Sequence, residues 1–313
     1  MTHTVLVKEH TQGSQLQRAR ALDLPSREAM LHRDMSVQRF WDENRMLLTD
    51  AWKEWEASEK DKLFTIDETL LDAKLRNAVE QAWENPTTET AVADLWEQVS
   101  PGVYQTQFFD PARLADLRDY FAHVADANIP LRPPYGIALN RHGAMLDQRS
   151  EGYLAAPNFQ AFYNAILEKY MRPIARLLFP EVMGFDTQTF GFSIQYQPGM
   201  DTSLRLHTDA SAATMNVNLN LPGEEYTGSE LDLYDPATRN VKRVRFEPGV
   251  AMIHRGSVPH AAHPITSGTR TNLVFWLYGD RMSIPSPRLQ VPAIDAHDRW
   301  TVPVAVSDAF APF

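Results

Sequence analysis

The amino-acid sequence predicts a mainly β protein with flanking helices, an antiparallel sandwich or jelly roll with a helical N-terminal region. Three observations support this fold class. Apolar residues recur at helical spacing through most of the first hundred residues. Two further helical stretches follow before residue 178. Beyond Phe190 the chain becomes a series of short β-rich runs separated by turns, with no helical pattern between them.

The helical N-terminal region contains three amphipathic patterns. The pattern over residues 26–60 predicts one long helix or two shorter ones. A second pattern begins at Leu70 and ends at the Asn85-Pro86 breaker, and residues 87–99 offer a third. We interpret the tryptophans of this region as packing residues, because large aromatic side chains at helical spacing usually build a core.

The next part of the chain predicts a strand over residues 103–109 and a helix over 110–128, with Asp110 as N-cap and Pro111 at the first helical position. Another helix is predicted over 158–178. The β-rich runs then read FGFSIQYQ, SLRLHTD, ATMNVNLNL, SELDLYD, VKRVRF, GVAMIHR and TRTNLVFWLYG.

We therefore expect three parts of the chain. Residues 1–100 form the helical N-terminal region, residues 101–290 form the β domain with its supporting helices, and residues 291–313 form a C-terminal tail. The helical region is expected to support the β domain from outside; the alternatives are a cap over its mouth or a contact between the subunits of a homodimer.

Composition excludes several classes of function. The formal charge of −10 argues against general binding to nucleic acid or to anionic membranes. The chain has no cysteine, so any metal ion must be bound by His, Asp or Glu. Neither a signal-peptide pattern at the N-terminus nor a membrane-spanning apolar run is present in the sequence, and we expect a cytoplasmic protein.

The stretch RLHTDASAATMNVNLN, residues 205–220, contains a His-x-Asp pair. In a strand, His207 and Asp209 lie on one face and can reach one ion. Two histidines and one carboxylate on one side of a metal are typical of non-haem Fe(II) oxygenases, because the opposite positions stay open. The third ligand would come from a downstream segment that contains His254, His260 and His263.

An arginine follows this segment. If the co-substrate is a dicarboxylate such as 2-oxoglutarate, its far carboxylate needs a fixed cation, and the planar guanidinium of Arg270 is suited to bind it with two hydrogen bonds.

Two longer segments resemble the Fe(II)- and 2-oxoglutarate-dependent dioxygenases of the prolyl and lysyl hydroxylase type, and most nearly the catalytic domain of the procollagen-lysyl hydroxylases. The segments are FSIQYQPGMDTSLRLHTDASAATMNVNLN and HRGSVPHAAHPITSGTR. YGIALNRHG and RPIARLLFPEV are similar to the segments that lead into that domain. The resemblance spans residues 135–280.

The resemblance implies a double-stranded β-helix core of the jelly-roll, cupin-like type. It implies that three residues bind Fe(II): His207, Asp209 and His260. The ten-residue spacing to Arg270 selects His260, and Arg270 binds the 2-oxoglutarate side-chain carboxylate. Tyr196 and Asn218 fall where related hydroxylases have polar groups near that carboxylate; the alternative is a buried polar network.

Other polar residues of these segments have more ordinary interpretations. We expect His254 to orient its turn or to bond groups behind the metal ligands, and His263 to face solvent or to line the substrate entrance. Asn216 and Asn220 are expected to form hydrogen bonds in the barrel interior. The alternating apolar residues are expected to pack outward against the helices: Met215, Val217, Leu219 and Leu221.

The resemblance implies that Fe(II), 2-oxoglutarate and dioxygen, with ascorbate as a further cofactor, hydroxylate an unactivated carbon and release succinate and carbon dioxide. Because Asp209 is a carboxylate, no ligand position is vacant for a halide, so hydroxylation is favoured over halogenation. We expect an amino-acid-like small molecule as the substrate. The alternatives are a lysyl or prolyl residue of a peptide, a non-catalytic sensor that binds metal and 2-oxoglutarate, and a zinc hydrolase.

Overall fold

The computed structural model describes residues 13–32, 34–134, 142–286, 289–303 and 311–312. Its α-helices are α1 (Gln15–Arg20), α2 (Arg27–His32), α3 (Met35–Ser58), α4 (Ala73–Glu84), α5 (Thr90–Ala93), α6 (Leu114–Asp126), α7 (Pro157–Ala165), α8 (Arg172–Leu178) and α9 (Ala296–Arg299). A π-helix, Ile166–Met171, joins α7 to α8. None of the described helices is long and apolar enough to cross a membrane.

The N-terminal helices form where the apolar patterns predicted them. The pattern over residues 26–60 gives two helices, α2 and α3. Helix α4 begins where the Asp72 carboxylate accepts hydrogen bonds from the amides of Lys74 and Leu75, and it ends before the Asn85-Pro86 breaker.

Two of the predicted helices differ in the structure. Residues 87–99 hold only part of a 3₁₀ turn and the short α5, because β1 already begins at Glu97. The last residues of the N-terminal region are therefore extended and not helical. Helix α6 begins at Leu114 and not at Asp110, since the Asp110 carboxylate accepts a hydrogen bond from the Ala112 amide and closes a turn ahead of the helix.

The strands are β1 (Glu97–Ser100), β2 (Val103–Gln107), β3 (Gln188–Tyr196), β4 (Leu204–His207), β5 (Ala213–Asn218), β6 (Thr227–Gly228), β7 (Leu231–Asp235), β8 (Asn240–Val244), β9 (Val250–Arg255), β10 (His260–Ala262), β11 (Ile265–Ser267) and β12 (Arg270–Tyr278). Each of the seven predicted β-rich runs overlaps one of these strands. The described strands pair only in antiparallel fashion.

The strands form two main sheets. Within the described residues, a six-stranded sheet has the order β1-β2-β9-β5-β12-β3 and a four-stranded sheet has the order β4-β10-β7-β8. Apolar side chains from both sheets form one interior cluster, including Phe192 of β3, Leu233 of β7 and Trp276 of β12. The fold is thus a jelly roll with flanking helices, as the sequence predicts.

The outer face of the six-stranded sheet packs against the helices. Leu273 and Phe275 of β12 belong to the same buried cluster as Trp52 and Trp55 of α3. The apolar residues that alternate along β5 and beyond it also lie in or against this cluster, which confirms the predicted outward packing of Met215, Val217, Leu219 and Leu221. The interior face of β5 is left to polar residues: Thr214, Asn216 and Asn218.

Replacing Trp52 by alanine should lower the free energy of unfolding by about 3–5 kcal/mol. Trp52 is fully buried and packs edge-to-face on Trp55, with ring centroids 5.2 Å apart. Urea denaturation measures the effect. Met46 lies on the same helix with 70% of its surface exposed, so Met46→Ala should change stability by less than about 0.5 kcal/mol. Equal losses in the two variants would show that α3 does not anchor the sheet.

Candidate metal centre

Strand pairing brings the three predicted ligands together. His207 is the last residue of β4, and Asp209 follows two residues later. His260 opens β10, which pairs antiparallel with β4 so that His260 lies opposite His207. One ligand atom from each of the three side chains lies within 4.8 Å of the others. The structure therefore gathers two imidazoles and one carboxylate from separated parts of the chain.

Backbone carbonyls fix the orientation of both imidazoles. The Nδ1 atom of His207 lies 2.7 Å from the carbonyl oxygen of Arg205, and that of His260 lies 3.0 Å from the carbonyl oxygen of Val258. A carbonyl can only accept a hydrogen bond, so Nδ1 carries the proton of each neutral ring and Nε2 keeps its lone pair. These Nε2 atoms lie 3.4 Å and 3.9 Å from Oδ1 of Asp209.

The cluster favours an ionised Asp209 carboxylate beside a neutral His260, whereas His207 takes up a proton more readily than a free imidazole. Burial alone would raise the pKa of Asp209, but the hydrogen bond from His207 and the neighbouring histidines hold it well below its usual range. Burial lowers the pKa of His260 to about 4. Burial opposes a rise in the pKa of His207, but the protonated ring can also donate from Nε2 to Asp209, and this raises the pKa above its usual value. That second proton would leave when the metal binds. Two nitrogen donors and one anionic oxygen fit Fe(II).

Arg270 lies behind a wall of the site. Its guanidinium is buried against the ring of Tyr196, with 4.3 Å from Cζ to the ring centroid, and Nη1 donates a hydrogen bond to the carbonyl oxygen of Ser229 at 2.6 Å. Its Nε atom has no hydrogen-bond partner among the described residues. Tyr196 lines the cavity beside the cluster, whereas Arg270 does not.

The asparagines of β5 occupy different positions. Asn216 lines the cavity and accepts a hydrogen bond from the Asn272 side chain. Asn218 is fully buried and does not line it; its amide donates to Asn220, to Asn272 and to a backbone carbonyl. The predicted interior hydrogen bonds of Asn216 and Asn220 are confirmed, since Asn220 also donates to the carbonyl of Thr269. A co-substrate contact for Asn218 stays a prediction.

The other two histidines lie in different surroundings. His254 is buried in the cavity wall, its Nδ1 lies 2.8 Å from the carbonyl oxygen of Arg255, and its Nε2 lies 3.7 Å from Oδ2 of Asp209. It is thus a residue behind the ligands, as predicted. His263 lies on the far side of β10 from His260, where it contacts Asp232 at 2.6 Å and also Arg243. It does not line the cavity.

Sequence reasoning missed the residue that contacts Asp209 most closely. The Thr214 hydroxyl donates to Oδ2 of Asp209 at 2.7 Å, and the Ser211 hydroxyl lies 2.8 Å from that of Thr214. Trp276 of β12, on the cavity wall, was also missed. The polar alternation of β5 could have predicted Thr214 in the site, because Thr214 precedes Asn216 and Asn218 on the same face of the strand.

The cavity at the cluster is small and mostly enclosed, with a volume of about 40 Å³. Apolar residues form much of its wall: Phe192, Ile194, Leu204, Val274 and Trp276. A larger cavity of about 590 Å³ lies between α6 and the outer face of the six-stranded sheet. None of the clustered histidines, nor Asp209, lines this larger cavity, so the chemistry belongs to the smaller one.

Gly256 connects two parts of the site. Its carbonyl accepts a hydrogen bond from the Asp209 amide at 2.9 Å, and a Cβ atom on Gly256 would lie 1.9 Å from the carbonyl oxygen of Ser211. No side chain fits there without displacing the segment that carries Asp209. This close approach gives a physical reason for the glycine of the His-x-Gly segment.

Gly256→Ala should therefore destabilise the protein by about 1–3 kcal/mol and weaken metal binding. Thermal unfolding and calorimetric Co(II) titration measure the two effects. Alanine at the neighbouring exposed Ser257 should leave both unchanged. If Gly256→Ala bound Co(II) like the unaltered protein, the close approach of Gly256 to Ser211 would not be needed to position Asp209.

Comparison with known proteins gives a consistent result. The sequence model of the 2OG-Fe(II) oxygenase superfamily matches residues 186–278, which include His207, Asp209, His260 and Arg270. The chain is 27% identical over 209 residues to the 2-oxoglutarate and iron-dependent oxygenase domain-containing protein CP2 of Arabidopsis thaliana, covering 61% of this chain and 49% of that protein.

Two further proteins are similar over shorter or more distant matches. The multifunctional procollagen lysine hydroxylase and glycosyltransferase LH3 of Rattus norvegicus is 34% identical over 116 residues, which cover 35% of this chain and 15% of that protein. A prolyl 4-hydroxylase structure from Phytophthora capsici has 15% identity and a TM-score of 0.47, covering 73% of each chain. This chain spans about half the length of the curated relatives it matches first.

YGIALNRHG, residues 135–143, was part of the predicted resemblance. Its first seven residues, 135–141, lie outside the described residues.

Proposed function

We propose that this chain, whose residues 186–278 match the 2OG-Fe(II) oxygenase superfamily, hydroxylates an unactivated carbon of an amino-acid-like small molecule. The observation that carries the proposal is the cluster of His207, Asp209 and His260. These three side chains would hold Fe(II) from one side and leave the opposite positions for the co-substrate and dioxygen.

The ligand residues need little rearrangement to bind the ion. Because the Nδ1 atoms of His207 and His260 lie within hydrogen-bond distance of backbone carbonyls, their Nε2 lone pairs are already directed at the cluster. Asp209 is already ionised, so no proton has to leave it when the metal binds. When bound, Fe(II) would activate dioxygen as the oxidant, with one oxygen atom going to succinate as 2-oxoglutarate loses carbon dioxide and the other going to the substrate.

Arg270 is proposed to bind the far carboxylate of 2-oxoglutarate. Its guanidinium is buried, and among the described residues no carboxylate forms an ion pair with it. A buried cation without a partner anion is costly, so a ligand carboxylate at this position would supply the missing charge. Burial lowers the pKa of Arg270, but this guanidinium stays charged at neutral pH. Tyr196, between Arg270 and the cavity, can contact the same ligand.

The remaining wall excludes competing reactions. Apolar residues such as Val274 and Trp276 line the wall beside the cluster and limit the access of bulk water to it. The carboxylate of Asp209 also occupies the third protein ligand position, so no halide can replace it. Both features favour transfer of oxygen to carbon.

The substrate class rests on the size of the cavity. The cavity of about 40 Å³ has room for little more than water, so the site must open for any substrate, and a compact molecule needs the smaller opening. The alternative is a lysyl or prolyl residue of a peptide. The similarity to a relative named as a procollagen lysine hydroxylase favours that alternative.

Anaerobic addition of Fe(II) and 2-oxoglutarate tests the reaction class. We expect a visible metal-to-ligand absorption band, followed, after air and a metabolite extract are added, by succinate and a product that has gained one oxygen atom. A band without any substrate-dependent succinate would indicate a sensor. Activity with zinc in the absence of 2-oxoglutarate would indicate a hydrolase. Either result would overturn the proposal.

A further inference from the structure

We propose that Thr214 is a positioning residue that makes Asp209 bind the metal through Oδ1 alone. The inference rests on the proposed function, because it concerns the same metal centre. Thr214 is not one of the three candidate ligands; it acts through the Asp209 carboxylate.

The two oxygens of Asp209 face different partners. Oδ1 lies 3.4 Å from Nε2 of His207 and 3.9 Å from Nε2 of His260, so it points to the space where the ligand atoms converge. Oδ2 accepts a hydrogen bond of 2.7 Å from the Thr214 hydroxyl. Asp209 and Thr214 are both buried, so water does not compete for this hydrogen bond.

His254 cannot replace Thr214 as the donor. Its Nε2 atom is 3.7 Å from Oδ2, and its Nδ1 carries the proton because it faces the carbonyl oxygen of Arg255. With that proton on Nδ1, Nε2 of the neutral ring keeps a lone pair. A nitrogen lone pair cannot donate a hydrogen bond to a carboxylate oxygen. Thr214 is therefore the described side chain that donates to Oδ2.

Thr214 is itself held in place from several directions. It lies in β5, a strand inside the six-stranded sheet, opposite His254 of β9 on one side and Trp276 of β12 on the other. The Ser211 hydroxyl is 2.8 Å from the Thr214 hydroxyl. Since the Thr214 proton goes to Asp209, Ser211 donates its own proton to Thr214. The result is a chain of hydroxyls that ends on Oδ2.

This chain has a consequence for the open metal positions. A carboxylate with a free second oxygen can turn and bind an ion through both oxygens. The second oxygen would then take a position that the co-substrate or dioxygen needs. By holding Oδ2, Thr214 keeps the ligand set at three atoms.

Two conservative substitutions separate the contribution of the hydroxyl from that of packing. Thr214→Val keeps the shape and removes the hydroxyl, whereas Thr214→Ser keeps the hydroxyl and removes a methyl group. We expect Thr214→Val to weaken Co(II) binding by about 10–100-fold in calorimetric titration, and Thr214→Ser to stay within about threefold of the unaltered protein. The absorption band with Fe(II) and 2-oxoglutarate should shift or weaken in the valine variant only.

The unaltered protein is the reference for both proposals. If it binds neither Co(II) nor Fe(II) with 2-oxoglutarate, the proposed function fails. If it does and Thr214→Val binds Co(II) with the same affinity and gives the same band, the role of Thr214 is overturned and the proposed function stands. Equal losses in the valine and serine variants would make Thr214 a packing residue only. Should the valine variant not fold, Thr214→Ala replaces it with the same expected loss.

Discussion

Replacing His260 by alanine is expected to lower metal affinity by more than about 100-fold and to abolish succinate formation. Removing a residue that hydrogen-bonds to a metal ligand typically lowers metal affinity by about 10–100-fold, or about 1.4–2.7 kcal/mol. Removing a ligand atom itself should therefore cost more. His207 and Asp209 would then face the ion with two donors only. Calorimetric Co(II) titration and anaerobic Fe(II) binding measure the loss.

His263→Ala is the matched control, because His263 lies three residues further along the chain and contacts Asp232 away from the cavity. It should bind Co(II) like the unaltered protein. The third ligand would have to be reassigned if the two alanine variants bound Co(II) equally well. Because His260 also pairs β10 with β4, its replacement could disturb the strands. Circular dichroism of the metal-free proteins distinguishes such a defect from the loss of a metal ligand.

The second large effect is expected from Arg270→Leu, which should raise the KM for 2-oxoglutarate by about 30-fold to several thousand-fold. That range corresponds to about 2–5 kcal/mol, the cost of removing one partner of a buried, hydrogen-bonded charge pair. Co(II) affinity should stay unchanged, because Arg270 does not belong to the ligand cluster. Steady-state succinate formation at varied 2-oxoglutarate gives the KM, and calorimetry gives the metal affinity.

Arg245→Leu controls for the loss of a stacked arginine. Arg245 also stacks on a tyrosine, with Cζ 4.5 Å from the ring centroid of Tyr226, and it donates to the Tyr226 carbonyl. It is exposed and does not line the cavity. An unchanged KM in Arg270→Leu, or the same rise in both variants, would refute the proposed carboxylate contact.

Much of this fold follows from alternation and turns in the sequence. Each β-rich run holds a strand because a period of two with turn residues at both ends leaves little choice of structure. The start of α6 was wrong because Asp110 stabilises a turn and a helix N-terminus equally well. The strand β1 was missed because its four residues lack an apolar alternation and depend on pairing with β2.

The positions of side chains in the site could also be predicted only in part from the sequence. Alternation places Asn216 and Asn218 on one face, but the depth of each along the cavity depends on strand register. Asn216 lies opposite Val274, which lines the cavity, whereas Asn218 lies opposite Asn272 and bonds to it. The Thr214 hydrogen bond to Asp209 depends on a turn between the two residues, which no periodic pattern specifies.

The most direct test is a crystal structure of the protein grown anaerobically with Fe(II), with diffraction data collected at the iron absorption edge. The account predicts one anomalous peak bound by Nε2 of His207, Oδ1 of Asp209 and Nε2 of His260. Absence of a peak at these three atoms, or an ion held by His254 in place of one of them, would contradict it.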